Sequence, residues 1–431
     1  MLKLKTVFKK KRLISIILTS LSFVLFCYLI YKSEIVYDST KRDFYSKYLI
    51  ISILLIIFSV FSFTINNDIK KNIITVLFSS ILTFYFVEII LFFYLNSFNR
   101  YDILQKIKSK NLNPVISISP NIFLLKKENT IMPFSGISDM LTIHCNENGY
   151  FSKYQSDRYG FNNLDKFWDN KKIDFVLIGD SFVQGRCVNF IDTIAGNIQK
   201  KNKTVLSLGM DGTGPLIQYA TLKEYIKFKD IKNILYFYFE GNDLFELKKE
   251  FDNDLLKNYF INNNYQQSLI LKQTTINQIL KKEIEKSLEI EEDKSYLKKI
   301  IKLSNLRTLT INLLFPVSLK SPEISTENLK TFEKILLKKK EFSKDIGADF
   351  YFIYLPEHER FTKNNNNDFF NAKNEILNIV EKHNINYIDI VEVLFNKIND
   401  PLGMFSFRQA SHYNEKGYNL LVNEIFKFFE F

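Results

Sequence analysis

Three long apolar runs constrain this chain more than anything else in it: residues 13–31, 48–65 and 73–95. Each has about the length an α-helix needs to cross a hydrocarbon core, and Glu88 is the one charged residue inside them. A cleavable leader would account for the first run but not for the second and third, and no small-residue cleavage site follows Ile30. Residues 1–96 therefore read as a membrane anchor of three helices. The segment before the first run carries Lys3, Lys5, Lys9, Lys10, Lys11 and Arg12 without an acid, which by the positive-inside bias keeps the N-terminus in the cytoplasm. The short basic loop 66–72 agrees with a cytoplasmic turn. An odd number of spans then puts everything after residue 96 outside: a multi-pass protein of the inner (cytoplasmic) membrane with its remaining domain on the periplasmic or extracellular side. Membrane lipids are thus expected partners. A carboxylate within a span costs about 3 kcal/mol on insertion scales. Glu88 is expected to pair with a hydroxyl such as that of Tyr85, or to face a neighbouring helix.

The formal net charge of +11 raises the question of an anionic partner. The lysines are scattered, and no nucleic-acid signature accompanies them, so no nucleic-acid partner is expected. The three cysteines, Cys27, Cys145 and Cys187, show no CxxC spacing, so neither a zinc site nor a thioredoxin-type pair is indicated. Cys27 lies in an apolar run. Cys145 and Cys187 are then free to form a bridge if their domain sits in an oxidising compartment, the alternative being two buried thiols.

From about residue 172 short apolar runs alternate with amphipathic stretches, the pattern of a parallel sheet with helices on both faces. Strands are expected at 173–178, 204–208, 233–239, 349–355 and 386–390. Helices are expected at 190–200, 215–228, 326–346, 368–383 and 415–429. Residues 245–320, rich in Lys, Glu and Leu, break the alternation and read as a helical insertion, a lid or a cap over the substrate. Residues 97–171 read as a linker region packed on the domain 172–431.

Chemistry in such folds gathers at the carboxyl ends of the strands. The first strand ends in Gly179-Asp180-Ser181-Phe182, the second in a glycine-rich turn with Gly209, Gly212 and Gly214, and the third in Gly241-Asn242-Asp243; Ser411-His412-Tyr413-Asn414 precedes the last helix. A serine hydroxyl becomes a useful nucleophile only when a base removes its proton, and histidine suits that at neutral pH. Of His144, His358, His383 and His412, the last alone follows the final strand at the mouth end of the sheet. Asp180 reads as a turn residue and Asp243 as a helix cap. Asn414 and Gly417 read as the entry to the last helix, and His358 as a surface-loop residue, not a metal ligand.

Taken together and in this order, the four blocks resemble the SGNH/GDSL hydrolase superfamily over roughly residues 172–431. The phrase Asp157-Arg158-Tyr159-Gly160-Phe161-Asn162-Asn163 is similar to the lead-in of its membrane-attached members. The resemblance implies a flavodoxin-like three-layer α/β/α domain and an esterase acting through an acyl-serine. Ser181 would be the nucleophile, His412 the base, and the N–H groups of Ser181 and Gly212 with the Asn242 amide the oxyanion donors. It implies no metal and no organic cofactor. Topology adds the expectation of an acylated envelope glycan or lipid as substrate. The chain departs from the family where an aspartate usually precedes the histidine by two or three residues, since Gln409 and Ala410 stand there. Asp389, Asp400 or a backbone carbonyl are the candidates for orienting the ring. An O-acyltransferase of an envelope polysaccharide, and a catalytically silent glycan-binding or assembly protein, are the rival readings.

Overall fold

The computed structural model describes residues 2–36, 42–95, 100–108, 113–126, 131–226, 229–292, 300–314, 325–362 and 372–431. It divides into two units, one made of residues 1–95 and 296–315 and the other of 96–295 and 316–431.

The first unit contains three long helices, α1 (Leu2–Ile30), α2 (Arg42–Phe61) and α3 (Asn67–Leu95). The segments Ser15–Val36, Tyr45–Thr64 and Asp68–Phe93 of these helices and their continuations are long and apolar enough to cross a membrane, and most of their large side chains are exposed. Such surfaces are stable only against lipid or partner helices. The Lys70 ammonium donates to Ser15 Oγ (3.0 Å), joining α3 to α1. A fourth helix, Ser304–Leu314, also belongs to this unit and lies along α3. The expected single insertion 245–320 is therefore divided: helices Asp254–Ile261 and Gln273–Glu292 pack on the second unit, and Ser304–Leu314 on the first.

In the second unit, β1 (Val115–Ile116), β2 (Leu141–Ile143) and β3 (Lys153–Gln155) form a small sheet in the order β1-β2-β3. Five strands form the main sheet: β4 (Lys172–Ile178), β5 (Val205–Ser207), β6 (Asp230–Phe239), β7 (Asp349–Leu355) and β8 (Asn386–Asp389). All are parallel, in the order β5-β4-β6-β7-β8. Strands buried on both faces read as continuous apolar runs such as Phe175-Val176-Leu177-Ile178, and two cores lie one on each face of the sheet. Pro215–Tyr225 and Thr326–Asp345 cover one face; Ile194–Gln199 and Glu415–Phe429 cover the other. Order reverses at β4, between β5 and β6, so the crevice of this α/β sheet opens above β4.

The lead-in segment docks the small sheet onto the main one. The buried Asp157 carboxylate accepts N–H groups of Tyr159 (2.9 Å), Phe161 (2.9 Å), Asn163 (2.9 Å) and Trp168 (2.7 Å). Burial pushes its pKa up to about 6 against the opposing pull of these donors. Asn163 also exchanges two hydrogen bonds with the Ser207 backbone (2.7 and 2.9 Å), tying the segment to the end of β5. Gly160, at φ +87°, passes so close to Gly136 that a Cβ would meet its carbonyl oxygen at 2.0 Å, which only glycine allows.

Candidate active site

Ser181 follows β4 at the reversal point. Asp180 caps the short helix Ser181–Gln184 by accepting from Phe182 N (3.0 Å), and its other oxygen lies 3.4 Å from Ser181 Oγ. Burial pushes the Asp180 carboxyl up to about 6. Gly179 leaves no room for a side chain between Val183 and the backbone of Phe237, so the strand-to-helix turn is tight and the serine stands at its crest.

His412 precedes the last helix, whose entry is built by Asn414: its side-chain oxygen accepts from Gly417 N (2.9 Å) and its amide donates to the Gly403 and Phe405 carbonyls. The imidazole Nε2 lies 2.9 Å from Ser181 Oγ, and the ring packs on Phe182 with centroids 4.8 Å apart.

The acid that orients this ring is Glu147, a residue absent from the sequence-based candidates. His412 Nδ1 lies 3.1 and 3.0 Å from its two carboxylate oxygens, and the His412 backbone N–H donates to it at 2.8 Å. Burial pushes the Glu147 carboxyl up, but the hydrogen bonds and charge of His412 outweigh burial and hold it below its ordinary 4.5. Asp389 and Asp400 do other work. Asp389 pairs with Lys373 (2.6 Å) and accepts from Val391 N (3.0 Å); Asp400 pairs with Arg408 (2.6 Å) and accepts from Gly403 N (3.2 Å).

Glu147 sits on the connection between β2 and β3, so the region 97–171 is more than a linker: it furnishes the third member of the site. Several ties fix that connection. Cys145 and Cys187 are bonded, with Cα atoms 4.9 Å apart, which joins it to the turn that follows the helix of Ser181. Asn148 donates to the Cys187 carbonyl (3.0 Å) and accepts from Ser406 Oγ (2.6 Å), while the Tyr150 hydroxyl donates to Glu415 (2.6 Å).

Gly212 follows β5 and Asn242 follows β6, the two strands that flank β4. Among the described residues neither the Ser181 nor the Gly212 N–H donates a hydrogen bond. Asn242 occupies the cap position of helix Asp243–Glu250 without using its side chain there, and among the described residues its Nδ2 amide donates no hydrogen bond. An amide so placed is available to a ligand. The Gly212 turn, at φ +67°, is held from several directions. Ser119 Oγ donates to the Asp211 carbonyl, Gln184 accepts from Asp211 N (2.9 Å), and Arg186 pairs with the Asp211 carboxylate. The Asn121 amide packs against Gly212, and Asn121 also lines a cavity of about 710 Å³ that includes Phe123, Glu246 and Lys249.

Two expected roles change. Asp243 does not cap its own helix: it is buried, accepting from Phe239 N (3.1 Å) and Gln218 (3.3 Å). Burial and the Asp180 charge raise its pKa well above the carboxylate range. His358 is buried, its Nε2 3.1 Å from the Arg408 carbonyl, and does not stand on a surface loop. Among the described residues no cluster has metal-ligand geometry.

Chemically, the arrangement can take a proton from Ser181, hold the resulting imidazolium against a carboxylate, and offer N–H donors to an oxyanion. No protein-family model matches this sequence, and no curated protein matches it. Solved structures similar to it include a protein of the G-D-S-L lipolytic family from Desulfitobacterium hafniense DCB-2, at 14% identity and TM-score 0.34, covering 60% of this chain and 99% of that one. Others are a lipase/acylhydrolase from Enterococcus faecalis (12%, 0.33, covering 61% and 96%) and the acetyl xylan esterase AlAXEase (10%, 0.31, covering 59% and 98%). These superpositions are loose, and the reading of the site stands on its own distances.

Proposed function

We propose that this chain is a membrane-anchored serine esterase acting through an acyl-Ser181 intermediate. The observation that carries the reading is the continuous line Ser181 Oγ, His412 Nε2, His412 Nδ1, Glu147, with every link at 2.9–3.1 Å. His412 removes the hydroxyl proton as Oγ attacks the ester carbonyl. The Ser181 and Gly212 N–H groups and the Asn242 amide receive the negative charge on the carbonyl oxygen. Collapse breaks the ester C–O bond, and His412 returns its proton to the departing alcohol. Water, deprotonated by His412, then attacks the acyl-serine; the bond from Ser181 Oγ to the acyl carbon breaks, His412 returns the proton to Ser181 Oγ, and the carboxylic acid leaves. Glu147 keeps the ring in the tautomer that has Nε2 free and stabilises the imidazolium.

The substrate class this reading favours is O-acyl groups of cell-envelope glycans or lipids. Three helices long and apolar enough to span, after a basic N-terminus, support a site on the non-cytoplasmic side of the membrane. The disulfide agrees with an oxidising compartment there. An O-acyltransferase would use the same intermediate with a sugar hydroxyl replacing water. A silent binding protein was suggested by the missing aspartate, and Glu147 fills that vacancy. The test incubates the full chain with an acetylated glycan, with and without a hydroxyl acceptor. Release of free acetate that Ser181→Ala abolishes supports hydrolysis, acylated acceptor supports transfer, and neither from the wild type refutes both.

A further inference from the structure

Glu88 is the one charge within the apolar runs, and it is completely buried although most of the apolar side chains of α3 are exposed or half-exposed. Its partners come from 217 residues downstream. One carboxylate oxygen accepts from the Asn305 backbone N–H (3.0 Å) and side-chain amide (3.1 Å); the other accepts from Leu306 N (2.8 Å). These are the unsatisfied first-turn donors of helix Ser304–Leu314, so a membrane-embedded carboxylate supplies the N-terminal cap of a helix from elsewhere in the chain. The Tyr85 hydroxyl, one turn away on α3, donates to the Ile301 carbonyl (3.2 Å).

Depth follows from helix geometry. Glu88 lies seven residues before Leu95, the end of α3, which at 1.5 Å per residue is about 10 Å below that end. Among the described residues no other helix is long and apolar enough to span, so residues 300–314 approach from the face where α3 ends. Eleven helical residues measure about 16 Å, close to one leaflet. Ile301 (63% exposed) and Leu309 (38% exposed) are apolar and exposed, beside the exposed Thr308 and Thr310 and the long side chains of Lys302 and Arg307, whose charged ends can reach the membrane surface.

We propose that residues 300–314 form a fourth membrane element, a half-helix seated in the outer leaflet, capped by Glu88, whose exposed face is covered by lipid acyl chains. It explains why a carboxylate is tolerated at this depth: three N–H donors satisfy it where water cannot. It also gives the stretch between β6 and β7 an attachment to the bilayer of its own, seated against α3.

The experiment uses the full chain with Cys27→Ala, reconstituted in vesicles, a single cysteine at Leu309 carrying an environment-sensitive fluorophore, and a control cysteine at Glu327. Lipids brominated along the acyl chain should quench the Leu309 probe at least threefold more than the Glu327 probe. Glu88→Ala should reduce that difference toward one, while Glu88→Gln, which keeps an acceptor oxygen, should retain part of it. Equal quenching at both positions in the parent protein would overturn the proposal without any need of the Glu88 variants. Undiminished Leu309 quenching in a folded Glu88→Ala protein would overturn the capping role.

Discussion

Removing the bridge between Cys145 and Cys187 by a double alanine substitution acts on two levels whose sizes follow from the structure. The bridge closes a loop of about 42 residues, for which loop-closure entropy gives about 13 cal/mol/K, or about 4 kcal/mol at 25 °C. For a catalytic unit of this size that corresponds to a fall of roughly 10 °C in melting temperature. The second level is positional, because Glu147 is two residues from Cys145 and depends on that connection for its place beside His412. The remaining ties, Asn148 to the Cys187 carbonyl and to Ser406, and Tyr150 to Glu415, persist without the bridge, so the acid should be loosened and not lost. A displacement near 1 Å at such a site costs about tenfold to a hundredfold in rate. The assay compares small-ester turnover below the melting transition with thermal unfolding of the purified full chain, before and after mild reduction. Reduction of the wild type should reproduce both losses, and the double variant should ignore the reductant. A variant melting within about 1 °C of wild type and turning over at the wild-type rate would refute both effects.

Further expectations concern single residues. Asn242→Ala should lower kcat by about 10²–10³-fold, the usual effect of removing one oxyanion donor, while Ser181→Ala abolishes turnover; steady-state kinetics on one ester distinguishes the two. Glu147→Gln should lower kcat by about 10³–10⁴-fold, whereas Asp389→Ala and Asp400→Ala should change it by less than about threefold wherever the protein remains folded. Because Glu147 is held below 4.5, the stability it contributes is present above that value and is lost as pH falls below it. The melting difference between wild type and Glu147→Gln should thus shrink as the pH falls below 4.5. Gly160→Ala forces a Cβ into the Gly136 carbonyl at a positive φ and should cost roughly 3 kcal/mol, read as a lower melting temperature.

What the sequence disclosed, and what it hid, divides along a physical line. Ser181, Gly212, Asn242 and His412 each stand where a regular element ends or begins, and the apolar periodicity that marks those elements also marks them. The five main strands were legible for the same reason, within one to three residues at their ends. Glu147 has no such marker: it lies on a connection between three-residue strands, too short for periodicity to register, and only tertiary packing brings it to His412. A signal did exist. A bridge between Cys145 and Cys187 puts residue 147 beside the nucleophile's helix, and following that consequence would have found the acid. Ser304–Leu314 was hidden differently, because its mixed composition carries Asn305 and Arg307 and gives no sign that its first turn completes a carboxylate on α3.

The central claim, that Ser181 is activated by His412 and Glu147, is tested most directly by reacting the full chain with a fluorophosphonate and locating the adduct by peptide mass spectrometry. The account predicts one adduct, on Ser181, that is absent in Ser181→Ala and forms at least a hundredfold more slowly in Glu147→Gln. A wild-type protein that stays unlabelled, or labels equally fast without the Glu147 carboxylate, would contradict it.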